Sequence, residues 1–117
     1  MDLSDEQIAQ FNDEGYLLVR GALEPGDIDP VIAEYEAHID RRASELVAAG
    51  KISQSYAGEP FDRRLASICS EDNELYRELD IMHFRGRACF EFLANKNLLD
   101  LVEGLVGEEI TCSPIQH

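Results

Sequence analysis

The sequence predicts an α+β fold that is mostly helical, and three observations carry the prediction. Capping residues and glycines punctuate the chain at helix-like intervals, apolar residues recur at helical spacing between them, and two short stretches, residues 16–19 and 110–117, read as strands. The period changes most sharply at Gly107. Before it, Leu98, Leu101, Val102 and Leu105 repeat at i, i+3, i+4, i+7; after it, residues 109–117 are extended and β-prone, with Pro114 marking an edge or a bulge. A chain that stops inside a segment expected to be paired reads as the front part of something longer.

Taken in order, Ser4 with Gln7 three residues on makes a capping box, and Leu3 is placed to staple onto Ile8, so a first helix begins here with Ile8 and Phe11 facing inward. Gly15 closes it. Tyr16-Leu17-Leu18-Val19 lacks polar alternation, which predicts an inner strand covered on both faces. Gly21 and Glu24-Pro25-Gly26-Asp27 make a turn. Ile28, Val31, Ile32, Tyr35, Ile39 and Leu46 then mark a long amphipathic helix ending at Gly50, with Pro30 confined to its first turn. Residues 51–60 are loop-like but too few to divide two domains. Residues 61–70 and 73–79 read as short helices, and Ile81, Phe84, Ala88, Cys89 and Phe92 as a longer one reaching about Ala94. Asn97, with Asp100 three residues on, is the expected cap of the last helix.

With 117 residues, 44% of them hydrophobic, the chain is one domain's worth and can bury a core without covalent staples. Its 10 basic residues face 24 acidic ones, a formal charge of −14, so it lacks the phosphate-neutralising charge that binding to nucleic acid or to an anionic membrane requires. The first fifty residues are the more acidic half, with 12 acids against three arginines, and read as a solvated surface. Cys69, Cys89 and Cys112 are odd in number and widely spaced, which argues against a disulfide framework or a zinc site and for reduced, mostly buried thiols. The N-terminus lacks the pattern of a signal peptide, and no run of eighteen apolar residues occurs. These features predict a soluble, cytoplasmic protein.

Few residues point to chemistry. His38-Ile39-Asp40 has the H-x-D form that opens the ligand triad of non-haem iron oxygenases, but on a helix residues i and i+2 diverge by about 200°, so His38 flanks the apolar stripe while Asp40 faces water and one ion cannot join them. Asp80 and His83 are spaced to touch, without a third ligand nearby. Arg63, Arg64, Arg77, Arg85 and Arg87 gather half of the basic residues into one stretch, where a carboxylate or phosphate could be recognised. Neighbouring acids such as Asp62, Glu78, Asp80 and Glu91 make surface ion pairs the simpler reading. No nucleotide-binding, hydrolase or zinc-protease motif is present.

Leu3-Ser4-Asp5-Glu6-Gln7, Phe11, and Gly15-Tyr16-Leu17-Leu18-Val19-Arg20-Gly21 together resemble the N-terminal opening of the phytanoyl-CoA dioxygenase family. The resemblance resumes at Leu98-Leu99-Asp100-Leu101-Val102-Glu103-Gly104-Leu105-Val106-Gly107 and residues 110–117, and leaves the middle of the chain uncovered. It implies the N-terminal helical section and first strands of a double-stranded β-helix, the cupin-like jelly roll, with the core strands missing from this single or partial domain. It also implies an Fe(II), 2-oxoglutarate-dependent oxygenase that hydroxylates a small organic substrate. The family's H-x-D, distal His and carboxylate-gripping Arg all belong downstream of residues 110–117, so these 117 residues are expected to bind neither cofactor alone, to supply no metal ligand and no catalytic residue, and to be inactive. Gln116 is the one cofactor-binding position the resemblance carries over, as a contact to 2-oxoglutarate. Unpaired strand edges would favour self-association. The alternative from another class is a stand-alone acidic helical module that binds a partner protein without catalysis.

Overall fold

The computed structural model describes residues 1–80 and 83–113. Six helices make up the regular structure of these residues: α1 (Asp5–Glu14), α2 (Pro25–Ala48), α3 (Phe61–Cys69), α4 (Glu74–Arg77), α5 (Arg87–Phe92) and α6 (Lys96–Val106). The α+β expectation is thereby corrected, since the described residues contain no strand and no sheet, and nothing in them has the form of a jelly roll. Residues 16–19 lie outside any helix, and no backbone hydrogen bond among the described residues reaches them. Strand propensity alone does not make a strand without a laddered partner. The expectation of an inner strand fails with it: Tyr16 and Leu18 are 63% and 67% exposed, while Leu17 and Val19 are half-buried. Residues 109–113 are likewise unpaired, and the rest of the second expected strand lies outside the described residues.

Helix ends follow local chemistry. Ser4 Oγ accepts from the Gln7 amide at 3.2 Å, Gln7 Oε1 accepts from the Ser4 amide at 2.9 Å, and Gly15 ends α1 at φ 80°, a left-handed conformation that costs glycine little. Ser4→Ala is expected to lower stability by about 0.5–2 kcal/mol. An unchanged urea midpoint at unchanged slope would show that α1 contributes nothing to the cooperative fold. Helix α2 starts earlier than its apolar stripe suggests, because Pro25 suits the first helical position and the Asp27 carboxylate accepts from the Glu24 amide at 2.8 Å. Pro30 consequently lies within the helix, beyond its first turn. Helix α5 begins only at Arg87, so the longer helix expected from Ile81 onward is cut short. Asn95 rather than Asn97 caps α6, its Oδ1 accepting from the Leu98 amide at 2.9 Å.

The core sits around the C-terminal half of α2, where Ile39, Ala43 and Leu46 pack with Ile52, Ile68 of α3 and Leu75 of α4, joined at the rim by Tyr56 and Leu65. The N-terminal half of α2 carries α5, and α1 pairs with α6, Leu3 lying over Gly104. At 24 residues α2 is about 36 Å long. It is the axis of a body measuring 55 × 24 × 22 Å, with a radius of gyration of 17.8 Å against about 13 Å for a compact chain of this length.

Candidate functional site

Polar side chains along α2 hold the later elements in place, and the residues of functional interest lie among them. Near its start, Asp27 accepts from Asn95 and Asn97 at 2.9 Å each, tying α2 to the first turn of α6; these bonds keep the Asp27 carboxyl below its ordinary range. Two turns on, the Glu34 carboxylate accepts from the amides of Ala88 and Cys89, both at 2.9 Å, and so caps α5 from another helix. Tyr35 follows, its ring 5.0 Å from that of Phe84 and its hydroxyl 3.7 Å from Cys89 Sγ; burial raises its phenol well above the ordinary value.

His38 and Asp40 diverge, as helical spacing requires. The His38 ring stacks on Phe84 at 4.6 Å, its Nδ1 lies 3.0 Å from Arg41 Nη2, and its Nε2 is buried with no hydrogen-bond partner, 3.9 Å from Glu78 Oε2. Because a guanidinium only donates, Nδ1 is the acceptor and the neutral ring carries its proton on Nε2, aimed toward Glu78. Asp40 is not simply hydrated: it pairs with Arg64 of α3. Arg42 grips Glu78 with two bonds, Nε to Oε2 at 2.8 Å and Nη2 to Oε1 at 2.7 Å, and also reaches Glu45 and Glu74. This fork keeps Glu78 ionised below the usual carboxylate range and makes it a poor general base.

Burial, assisted by the positive charge of Arg41, holds His38 below its ordinary pKa of 6.5, with Glu78 opposing in part. The unfolded chain therefore takes up a proton on His38 at a higher pH than the folded chain does. Folding stability should be level with respect to this group above about pH 7 and should fall as pH drops through about 6.5 toward the folded value. The lowered carboxyls act in a separate window, Glu78 and Glu71 below about 4.5 and Asp27 below about 3.8. Urea midpoints at about pH 7 and about pH 5.5 for the natural chain and for His38→Phe check this: the variant should lose most of the difference, and equal differences would refute the assignment.

Asp80 and His83 do touch, Asp80 Oδ1 accepting from both Nδ1 (2.8 Å) and the backbone amide (3.1 Å) of His83, but in a turn rather than on a helix face. The arginine stretch does not form one site. Arg87 pairs locally with Glu91 as expected, whereas the expected local pairing fails at Arg64, which is buried and reaches back to Asp40 and to the Ser55 carbonyl. Arg42, outside that stretch, proves the most heavily bonded cation. Its signal was in the sequence: it stands three residues after Ile39 and four before Leu46, and a charge beside the apolar stripe calls for a partner. Cys89 is buried as expected, Cys69 only partly, and Cys112 is exposed, contrary to the expectation of mostly buried thiols.

Among the described residues, no group of three His, Cys, Asp or Glu side chains converges to hold a metal ion, and with His38 and Asp40 engaged in different directions they do not fit an iron site. Gln116 lies outside the described residues. No described helix is long and apolar enough to cross a membrane. Compared with known proteins, the chain matches no family model, no curated protein and no solved structure.

Proposed function

We propose that this chain is the non-catalytic helical scaffold of an Fe(II), 2-oxoglutarate-dependent oxygenase similar to the phytanoyl-CoA dioxygenases, with iron, cosubstrate and a small organic substrate held by another part of the same protein. The observation that carries this reading is the bare segment at residues 16–19: backbone outside any helix and without backbone hydrogen bonds among the described residues, and two large exposed apolar side chains, Tyr16 and Leu18, in the stretch that bears the resemblance. Such a segment is a template for pairing with another length of chain. Its 8199 Å² of accessible surface exceeds the roughly 6,400 Å² of a compact folded monomer of 13.1 kDa, in keeping with the elongated 55 × 24 × 22 Å body.

The test is to express the natural reading frame that contains these residues beside the 117-residue chain. The longer protein should release succinate from 2-oxoglutarate with Fe(II) and protect the amides of residues 16–19 from exchange, and the short chain should do neither. A natural protein without that turnover, or with those amides equally unprotected, overturns the reading. A second reading, an acidic helical module that binds a partner protein, draws on the exposed Tyr76, Phe90 and Val106 of an otherwise helical molecule. Sedimentation velocity of the short chain separates the two. The scaffold reading expects self-association that strengthens as salt screens the −14 charge, whereas a monomer at every salt favours the module.

A further inference from the structure

We propose, independently of the scaffold reading, that α1 is a latch: it rests on α6 and swings off as a unit while the rest of the fold stays intact, uncovering α6 around Leu101. Its ties are few. Of the six helices of the described residues only α1 has no buried residue, and the helix it pairs with is α6. Its side-chain hydrogen bonds are made within the helix and its cap, between Ser4 and Gln7 and between Gln10 and Glu14, and none among the described residues reaches another element. Residues 16–19, which follow it, make no backbone hydrogen bond among the described residues, and Gly15 and Gly21 on either side hold φ of 80° and 67°. Glycines at such positions let a chain change direction at little cost, which suits a hinge.

Leu3, Ile8 and Phe11 are half-buried, with Leu3 over Gly104, so the contact that holds α1 down is apolar and shallow. Charge works against it. Residues 1–14 carry five acids and no basic side chain, while α6 presents Asp100 and Glu103, and its one cation, Lys96, is drawn first to Asp100 and only then to Asp2. Helix α6 stays behind when α1 leaves, because Asn95 and Asn97 donate to Asp27 at the start of α2. Opening forfeits only the shallow contact, whereas global unfolding also dissolves the core around Ile39, Ala43 and Leu46. The open form is therefore reached far more often than the unfolded one.

Native-state hydrogen exchange of the 117-residue chain in rising, sub-denaturing urea tests the latch. The amides of residues 9–14 should exchange at least about a hundredfold faster than those of residues 39–46 and should depend little on urea, because opening exposes little surface. A covalent lock distinguishes undocking from fraying within the helix. A Cβ at Gly104 would lie 3.9 Å from Leu3 Cβ, within the roughly 3.5–4.5 Å that a disulfide spans, so Leu3→Cys with Gly104→Cys, in a Cys112→Ser background, should close a bond inside one chain. Oxidising that variant should slow exchange of residues 9–14 by at least about tenfold relative to its own reduced form, which controls for the substitutions. Residues 9–14 protected as well as 39–46, with the same urea slope, would place α1 in the cooperative core and overturn the proposal. A lock that fails to close, or that closes and leaves their exchange unchanged, would overturn it as well.

Discussion

Leu75→Ala is expected to destabilise the chain by about 2–5 kcal/mol, a large share of the roughly 5–15 kcal/mol that holds a domain of this size together. The reason lies in the helix that carries it. Helix α4 has four residues and no side-chain cap, far too little to persist by its own hydrogen bonds. It exists because Leu75, fully buried, is anchored among Leu46, Ile68 and Ile52. Truncation leaves a cavity and also loosens Glu74 and Glu78, the carboxylates through which Arg42 clasps this segment to α2. Tyr76, the next residue, is 54% exposed, and Tyr76→Ala should change stability by no more than about 0.5 kcal/mol. Urea unfolding of the two variants side by side provides the measurement, and similar midpoints would show that α4 is not part of the cooperative core.

Much of the helical framework was legible because it is encoded within a few residues. The capping box at Ser4 and Gln7, the glycine at 15 and the stripe through Ile39 and Leu46 are local signals, and each is realised close to where it is written. Interactions between elements were not legible. That Asn95 rather than Asn97 caps α6 depends on Asp27, 68 residues earlier, which also receives the Asn97 side chain. That α5 starts at Arg87 depends on Glu34, and the fate of Arg64 on Asp40. The strand expectation failed for the complementary reason: composition reports the conformation a residue prefers, while strand pairing is a property of two segments, and residues 16–19 have found no second one among the described residues. For the candidate site, helical geometry separated His38 from Asp40 in advance, but the stacking of His38 on Phe84 and its approach to Glu78 join segments the sequence leaves apart.

Gly86→Ala tests the most demanding of these long-range joints. Gly86 precedes α5 at φ −69°, a conformation open to any residue, so alanine there carries no backbone strain and by its effect on the unfolded chain alone would stabilise by about 0.4–1 kcal/mol. Space is what excludes it. A Cβ at this position would lie 2.1 Å from Glu34 Oε2 and 2.3 Å from its Cδ, inside contact distance. The side chain of Glu34 is long enough to swing away, so the expected cost is not a fixed clash but the loss of what the carboxylate was doing. Its two bonds to the amides of Ala88 and Cys89 satisfy donors at the α5 N-terminus that have no partners within that helix. Losing both charge-assisted bonds should cost about 2–4 kcal/mol, which outweighs the entropic gain and leaves the variant less stable. A double-mutant cycle separates this account from simple crowding. If alanine acts by evicting Glu34, then Glu34→Ala should destabilise comparably, and adding Gly86→Ala to it should do no further harm, because the carboxylate is already gone. Strict additivity of the two changes, or a neutral Gly86→Ala, would mean that α5 is held by its apolar contacts and that the Glu34 cap is incidental.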